Sequence, residues 1–206
     1  QLQLLIGQGF DPVTKKALGL PYRKYPTTAE RIERRTAKLD ARLPVTERAA
    51  AVAAIETEET ARGSRKAVAG FDFTFSIPKS ASVLWAVSDA GTQSLIADAH
   101  HAAVAEMVAF IERELAATRI GAAGLGGAVT QADVSGVIAT AFDHYDSRAG
   151  DPHLHTHVVI SNKVQTVHDG KWRSLDGRPL HAATVALSEL HEAVFADHLT
   201  RAFGVE

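Results

Sequence analysis

The chain contains no cysteine, and this absence excludes two kinds of site at once. A disulfide framework and a thiolate zinc site both require cysteine, so any bound metal must be held by histidine and carboxylate side chains. Uninterrupted apolar runs are also short, well below the length of a membrane span. With 46% hydrophobic and 22% charged residues in 206, the sequence predicts a globular protein with one compact domain and a sizeable core.

The net charge of −2 conceals an uneven distribution of charge along the chain. Residues 1–66 carry 13 Lys and Arg against 8 Asp and Glu, whereas residues 67–206 carry 9 against 16. A basic first third could contact a polyanion, although charge alone favours a solvated helical face. The first residues show no basic segment and no cleavage signal of a secretory peptide, which predicts a cytoplasmic protein, and a piece of a longer one.

Periodicity and turn signals predict helices mixed with adjacent pairs of strands. This pattern is typical of an α+β domain with a mainly antiparallel sheet. Residues 1–26 show no persistent period, Thr27 and Glu30 have the spacing of a capping box, and Ser76 is a candidate N-cap. Four glycines between 121 and 127 predict a turn. The predicted helices cover 28–43, 45–62, 78–88, 91–117 and 181–203, and the predicted strands cover 69–76, 128–133, 134–145, 154–167 and 171–175, with a tight turn at 169–170.

The histidines cluster on one predicted strand, where His153, His155 and His157 alternate and share a face. Residues i and i+4 on a strand lie about 13 Å apart, too far for both imidazoles to reach one ion. A shared site therefore uses either His155 with His157 or His153 with His155, and His144 across the hairpin is the natural third ligand. Pro152 favours the first pair, because it makes His153 the least fixed residue of the strand.

A cluster of three imidazoles leaves coordination positions open, which is a property of catalytic metal sites. The alternative is an exposed or hydrogen-bonded histidine cluster without an ion. Imidazole ligands alone permit Mn, Co, Ni and Zn, so the donor set does not name the metal.

Three segments form a specific combination: the segment from Phe71 to Ser80, the strand with His155 and His157 following His144, and residues 170–175. Together they resemble the N-terminal relaxase domain of conjugative relaxases of the TrwC/TraI (MobF) type, which are HUH endonucleases. The resemblance extends over nearly the whole chain. It implies a two-layer α+β palm whose mainly antiparallel sheet carries the His-x-His strand, with helices packed on one face.

The resemblance also implies a function, namely site- and strand-specific nicking and strand transfer at a conjugative origin. In that family a tyrosine attacks a metal-polarised phosphodiester and leaves a 5′-phosphotyrosine and a free 3′-OH. The expected partner is single-stranded DNA of a transfer origin, with accessory conjugation proteins as further partners and no membrane.

By the same resemblance, His144, His155 and His157 are the metal ligands, and Mg or Mn is the expected cofactor, although Zn, Ni or Co could occupy the site. Asp72 matches the family's acid, which orients a ligand histidine or helps to deprotonate the nucleophile. The alternation of the strand at 69–76 supports this, because Phe71, Phe73 and Phe75 face the core and leave Asp72 on the open face.

The tyrosines depart from the family pattern. Relaxases of this type carry the nucleophile near the N-terminus, before the part that resembles Gly7-Gln8-Gly9, and this chain has only Tyr22, Tyr25 and Tyr145. Tyr145 follows His144 directly and is predicted to point to the opposite face of the strand. We therefore expect residues 1–206 to be a relaxase domain truncated at both ends, lacking the nucleophile segment before residue 1 and cleaving weakly or not at all. A helicase-like region beyond Glu206 is the family expectation.

Lys79, near the start of a helix, and Arg148, in the loop beside the histidines, are the candidate DNA-binding residues. Two other functions remain open. A binding module could recognise single-stranded DNA without catalysis because the nucleophile is absent. A water-using metal-dependent phosphodiesterase would need no tyrosine and would leave no covalent adduct.

Overall fold

The computed structural model describes residues 1–121 and 129–205. The chain divides into two compact units: a smaller one, Tyr22–Val68, and a larger one formed by Gln1–Pro21 and Ala69–Glu206. The prediction of a single relaxase domain over residues 1–206 stays a prediction. Most of the predicted glycine-rich turn, residues 122–127, lies outside the described residues.

The smaller unit is a pair of helices, α1 (Thr28–Thr36) and α2 (Val45–Arg62). The predicted capping box is confirmed: the Thr27 hydroxyl accepts from the Glu30 amide at 3.2 Å, and the Glu30 carboxylate accepts from the Thr27 amide at 2.6 Å. The sequence predicted that α1 would continue to Pro44. It ends at Thr36 instead, because the amides of Lys38 and Leu39 bond back over three residues, which makes a turn and not a further helical repeat.

A buried ion pair joins the two helices. The guanidinium of Arg31 contacts the Glu59 carboxylate at 2.6 Å and donates to the carbonyls of Glu59 and Gly63 at 3.1 and 2.8 Å. Both residues are buried, at 7% and 3% exposure. Hydrogen bonds from Arg31 and then Arg35 hold the pKa of Glu59 below its usual value. Arg31 is therefore a structural arginine and does not belong to a free basic surface.

We expect Arg31→Met to lower the urea midpoint of unfolding clearly more than Arg35→Met. The first change leaves the buried Glu59 carboxylate without its main partner and removes three hydrogen bonds to backbone carbonyls, those of Pro26, Glu59 and Gly63. Arg35 is the matched control, because it contacts the same carboxylate at 2.9 Å with a side chain that is 39% exposed. Equal midpoints for the two variants would contradict this account.

The larger unit is built around a three-stranded antiparallel sheet and two strand hairpins. Its elements, in chain order, are β1 (Gly70–Ser76), α3 (Lys79–Val87), α4 (Ala90–Phe110), β2 (Ala117–Gly121), β3 (Val129–Asp133), β4 (Ala139–Asp146), β5 (Pro152–Ser161), β6 (Val164–Gln165), β7 (Trp172–Arg173), α5 (Gly177–Ala182) and α6 (Thr184–Phe203). The strand order in the sheet is β1-β5-β4, so the histidine strand β5 is central. The hairpins are β2-β3 and β6-β7, and the second confirms the turn predicted at 169–170.

One face of the sheet is covered by the core. Phe75 of β1, Val158 and Ile160 of β5, and Leu187 of α6 are all at most 4% exposed and pack in one cluster. Because β1 alternates as predicted, Asp72 lies on the opposite, open face and is exposed. The α+β class with an antiparallel sheet is thus confirmed.

Helix α4 lies against α6 and buries Ile96, Ala103 and Met107 completely or nearly so. Together with the five-residue π-helix that follows it, Ile111–Leu115, it is long and apolar enough to cross a membrane by length and composition alone. Its buried face identifies it as a core helix of the larger unit, since the core helix of a soluble protein meets the same criterion.

Several boundaries differ from the prediction. A π-helix, Gln3–Gly7, lies in the segment that was expected to be irregular. Strand β1 runs through Ser76, so the N-cap of α3 is Pro78 and not Ser76. The predicted strands at 134–145 and 154–167 are shorter in the structure, as β4 and β5, and β6 begins separately at Val164. The single predicted helix at 181–203 is α5 followed by α6, because the Asp176 carboxylate caps a separate short turn through the Arg178 amide.

Candidate metal centre

The strand register brings three histidines together on the open face of the sheet. In one row across the sheet, Ser76, His155 and His144 are direct partners. Two positions along β5, in the next row on the same face, His157 pairs with Thr74 on one side and with Phe142 on the other. Adjacent strands lie about 4.8 Å apart, and alternate residues of one strand share a face, so the three imidazoles converge.

One ligand atom from each of His144, His155 and His157 lies within 4.8 Å of the others. Their ring centroids are 5.0 to 5.3 Å apart. Of the two pairs that sequence geometry left open, the structure brings His155 and His157 together with His144. His153 stays outside this group: its ring is 4.8 Å from that of His155, but its Nε2 approaches the Ser76 hydroxyl at 3.5 Å.

Hydrogen bonds leave one ring nitrogen free on two of these histidines. The Asp72 carboxylate can only accept, so His157 Nδ1 donates to it, with both oxygens at 3.0 Å. His155 Nδ1 donates to the His153 carbonyl at 2.7 Å. In the neutral tautomer that these bonds select, Nε2 of each ring is the nitrogen available to a metal ion. A carboxylate or carbonyl behind each imidazole is the usual arrangement around metal-binding histidines, so the donor set fits a divalent ion.

The three histidines differ in burial. His155 is only 9% exposed, the side chain of His157 is 30% exposed, and His144 is exposed. The cluster is thus anchored in the sheet on one side and open to solvent on the other. An ion held there by three neutral imidazoles would keep positions for an external ligand, as catalytic sites do.

Both candidate DNA-binding residues are at the hairpin between β4 and β5. The Lys79 ammonium pairs with the Asp151 carboxylate and donates to the Pro152 carbonyl at 2.8 Å. The hydrogen bond from Lys79, followed by that from Ser147, lowers the pKa of Asp151 to about 2. Lys79 thus fastens the loop. Arg148 is exposed in the same loop, and no ion pair forms on it within the described part of the chain.

The tyrosine of the larger unit is on the far side of the sheet from the histidines. Tyr145 stacks on Trp85 of α3 with centroids 5.5 Å apart and planes 13° apart. Tyr22 and Tyr25 belong to the smaller unit, where the guanidiniums of Arg23 and Arg65 lie 5.2 and 5.0 Å from the Tyr25 ring.

Sequence reasoning missed a second group of polar residues, which lies behind the metal face. His100 of α4 and His191 of α6 are 0% and 1% exposed, and they contact each other at 3.2 Å. His100 Nε2 also meets the Thr156 hydroxyl at 2.8 Å. Burial lowers the pKa of each of these histidines to about 4. The available signal was the apolar helical spacing around His100, with Ile96 and Ala103 on the same face.

Comparisons with known proteins agree with this architecture. The sequence profile of the TrwC relaxase family matches residues 1–206. Multifunctional conjugation protein TraI of Escherichia coli is 41% identical over 113 residues, which are 55% of this chain and 6% of that protein; the same protein from strain K12 is 38% identical over the same length. The chain therefore corresponds to a small part of the length of these relatives.

Solved structures of the conjugative relaxase TrwC are also similar. Its metal-bound complex with oriT DNA is 33% identical, with a TM-score of 0.56, over 64% of this chain and 43% of that one. A complex with a 27-mer that comprises the recognition hairpin and the cleavage site is 33% identical, with a TM-score of 0.57, over 66% and 46%.

Proposed function

The chain belongs to the TrwC relaxase family, and on that premise we propose that its larger unit holds a divalent ion on His144, His155 and His157 and presents it to single-stranded DNA of a transfer origin. DNA nicking at an origin is the general activity that the family and its complexes with oriT DNA support. The observation that carries the proposal is the convergence of three imidazoles on an open sheet face, backed by the Asp72 carboxylate.

A divalent cation bound at these imidazoles would supply Lewis-acid polarisation of a phosphoryl oxygen. Mg or Mn is the expected ion from the family, and Zn, Ni or Co also suits three imidazoles. The protein's own residues orient the ligands. Asp72 holds the ring of His157 in one tautomer and one orientation through Nδ1, so that Nε2 faces the open side.

The nucleophile of the proposed reaction is a tyrosine, which would leave a 5′-phosphotyrosine and a free 3′-OH. Tyr145 is unsuited to this role because it stacks on Trp85 on the face opposite to His144. We therefore expect residues 1–206 on their own to bind metal and DNA but to cleave weakly or not at all, since a tyrosine needs both activation and correct placement.

Further parts of the proposal concern the surroundings of the site. Arg148, exposed in the loop that joins the two histidine strands, is the better placed phosphate contact, because the charge of Lys79 is already paired with Asp151. Accessory conjugation proteins are proposed as further partners. We further propose that the protein acts in the cytoplasm and that no membrane is among its partners.

A denaturing gel with a labelled pool of randomised single strands and Mn²⁺ separates three functions. A band shift that survives denaturation is a covalent adduct and indicates a tyrosine transesterase. A shorter free strand indicates a water-using phosphodiesterase. DNA bound in a native gel but unchanged under denaturing conditions is the expected result for residues 1–206, and it also fits the second candidate, a binding module without catalysis. Cleavage that disappears in Tyr25→Phe would overturn the proposal that the nucleophile lies elsewhere.

Arg148 offers a direct test of the DNA contact. We expect Arg148→Ala to weaken binding of a fluorescent single strand severalfold and to reduce the salt dependence of the dissociation constant by about one ion, because one phosphate contact is lost. Lys171→Ala is the matched control, since Lys171 is an exposed cation in another hairpin, β6-β7. Equal losses in both variants would indicate general attraction by positive charge and no specific contact.

A further inference from the structure

A continuous line of polar side chains, buried except at its Asp143 end, runs from α6 through α4 to the two histidine strands. We call it the buried polar chain, and its members are His191, His100, Thr156 and Asp143. Each neighbouring pair is in hydrogen-bond contact, at 3.2, 2.8 and 2.6 Å in that order. His191, His100 and Thr156 are at most 1% exposed, so water does not compete for the two bonds between them, whereas the side chain of Asp143 is 30% exposed.

The buried polar chain ends directly behind the candidate metal centre. Thr156 lies between His155 and His157 on β5, and its side chain points to the opposite face of the strand. Asp143 precedes His144 on β4 and is the register partner of Thr156. The Thr156–Asp143 hydrogen bond therefore crosses the same two strands that carry all three imidazoles.

The direction of every hydrogen bond in the chain follows from its last acceptor. The Asp143 carboxylate can only accept, so it takes the single hydroxyl proton of Thr156. Thr156 must then accept from His100 Nε2, which leaves His100 Nδ1 to accept from His191 Nε2. All donors point toward Asp143, and bonds aligned in this way strengthen one another.

Asp143 has a second partner, because His101 Nε2 approaches its other oxygen at 3.0 Å. Helix α4 thus contacts both strands of the pair: His100 is hydrogen-bonded to Thr156 on β5, and His101 is hydrogen-bonded to Asp143 on β4. No other polar contact between α4 and these two strands is as buried as that of His100, within the part of the chain that the structure describes.

We propose that the buried polar chain fixes the rotation and spacing of β4 and β5 so that His144, His155 and His157 meet, which makes His100 and Thr156 positioning residues for the metal centre. This inference rests on the proposed function, because it concerns the same three imidazoles. Metal affinity is sensitive to such support, since a ligand displaced by a fraction of an ångström no longer reaches the ion.

The test compares variants that remove a hydrogen bond of the buried polar chain with variants that retain it. Thr156→Val removes the hydroxyl at nearly constant volume, whereas Thr156→Ser retains it. His100→Phe removes both ring nitrogens, whereas His100→Gln keeps a donor toward Thr156. Val104→Ala is the control for general destabilisation, because Val104 is a core residue one turn further along α4 and outside the chain.

The readouts are Mn²⁺ affinity by electron paramagnetic resonance, the visible spectrum of bound Co²⁺, and thermal unfolding. We expect Thr156→Val and His100→Phe to weaken Mn²⁺ binding about tenfold and to alter the Co²⁺ spectrum. Thr156→Ser and His100→Gln should bind within about threefold of the unaltered chain. Val104→Ala should lose thermal stability and keep its affinity and spectrum. An affinity that follows thermal stability across all five variants would overturn the inference.

A measurement without metal separates this inference from the proposed function. In the metal-free protein, ¹H–¹⁵N spectra of the imidazoles report which nitrogen of His155 and of His157 carries the proton. We expect His100→Phe to disturb these signals and Val104→Ala to leave them unchanged. If the unaltered chain binds no ion but this contrast holds, the proposed function fails and the positioning role stands. If both variants leave the signals unchanged, the positioning role fails.

Discussion

His155→Ala is expected to abolish Mn²⁺ binding, whereas His153→Ala leaves it nearly unchanged. His155 is the most buried member of the cluster, and its ring lies 5.1 and 5.3 Å from those of His144 and His157. Its Nδ1 donates to the His153 carbonyl, which leaves Nε2 as the ligand atom. Loss of a residue that only supports a ligand typically costs ten- to a hundredfold in metal affinity. Removal of one of three ligands should exceed this, so we expect at least about a hundredfold loss.

His153→Ala is a closely matched control for His155→Ala. His153 is the same residue type on the same strand and the same face, and its ring is in contact with that of His155. Its Nε2 approaches the Ser76 hydroxyl at 3.5 Å, and it does not belong to the group of three histidines whose ligand atoms converge. Loss of binding in both variants would mean that the ion is held elsewhere or that the strand has been disturbed. Retention in both would show that the cluster holds no ion.

Asp72→Asn provides an intermediate case. An amide can still accept a hydrogen bond from His157 Nδ1, but it removes the negative charge that raises the basicity of the ring. We expect Mn²⁺ affinity to fall about tenfold, less than in His155→Ala. The measurement is the same resonance titration, and an unchanged affinity would contradict the role proposed for Asp72.

The open face of the site could be predicted because strands have a period of two. Alternation alone placed Asp72 opposite the phenylalanines that pack on the core, and it placed His155 and His157 on one face. The hairpin then required only that β4 pair with β5, which brought His144 into the same row as His155. These are local relations, and short-range geometry is sufficient to derive them.

The support behind the site could not be derived in this way. His100 and His191 are 91 positions apart, and neither belongs to a motif. Their contact depends on how α4 packs on α6 and how both helices pack on the sheet. An isolated histidine on an apolar helical face gives no indication of its partner, so the sequence predicted the candidate ligands but not the residues that support them.

The same two histidines predict that the protein loses stability in mild acid. Burial lowers the pKa of His100 and of His191 to about 4 in the folded state, from an ordinary value of 6.5 that applies when the chain is unfolded. Between these values the unfolded chain binds more protons than the folded one, so stability falls as the pH falls. Above pH 6.5 both forms are neutral and this contribution is complete.

The expected slope is about 1.4 kcal/mol of unfolding free energy per pH unit for each histidine that remains neutral in the folded state. The groups that face His100 are His191, His101, His155 and Asp143, and the three histidines oppose a charge on it while the carboxylate favours one. The pKa of Asp143 is itself lowered, because hydrogen bonding from Thr156 and the nearby His101 outweigh the opposing effect of burial. Its contribution is therefore lost only below its ordinary value of 3.8, outside this window.

Urea unfolding between pH 4.5 and 7.5 tests the slope, and His191→Gln tests its origin. Glutamine carries no charge at any pH, so we expect this variant to lose stability with a shallower slope, although it is less stable than the unaltered chain at pH 7.5 because the packing of the His191 ring on Phe75 and Phe195 is lost. His168→Gln is the control, because the His168 side chain is 52% exposed in the β6-β7 hairpin, and its slope should equal that of the unaltered chain. A slope that is unchanged in His191→Gln would mean that acid acts through other groups, and that the buried pair is not the acid-sensitive part of the core.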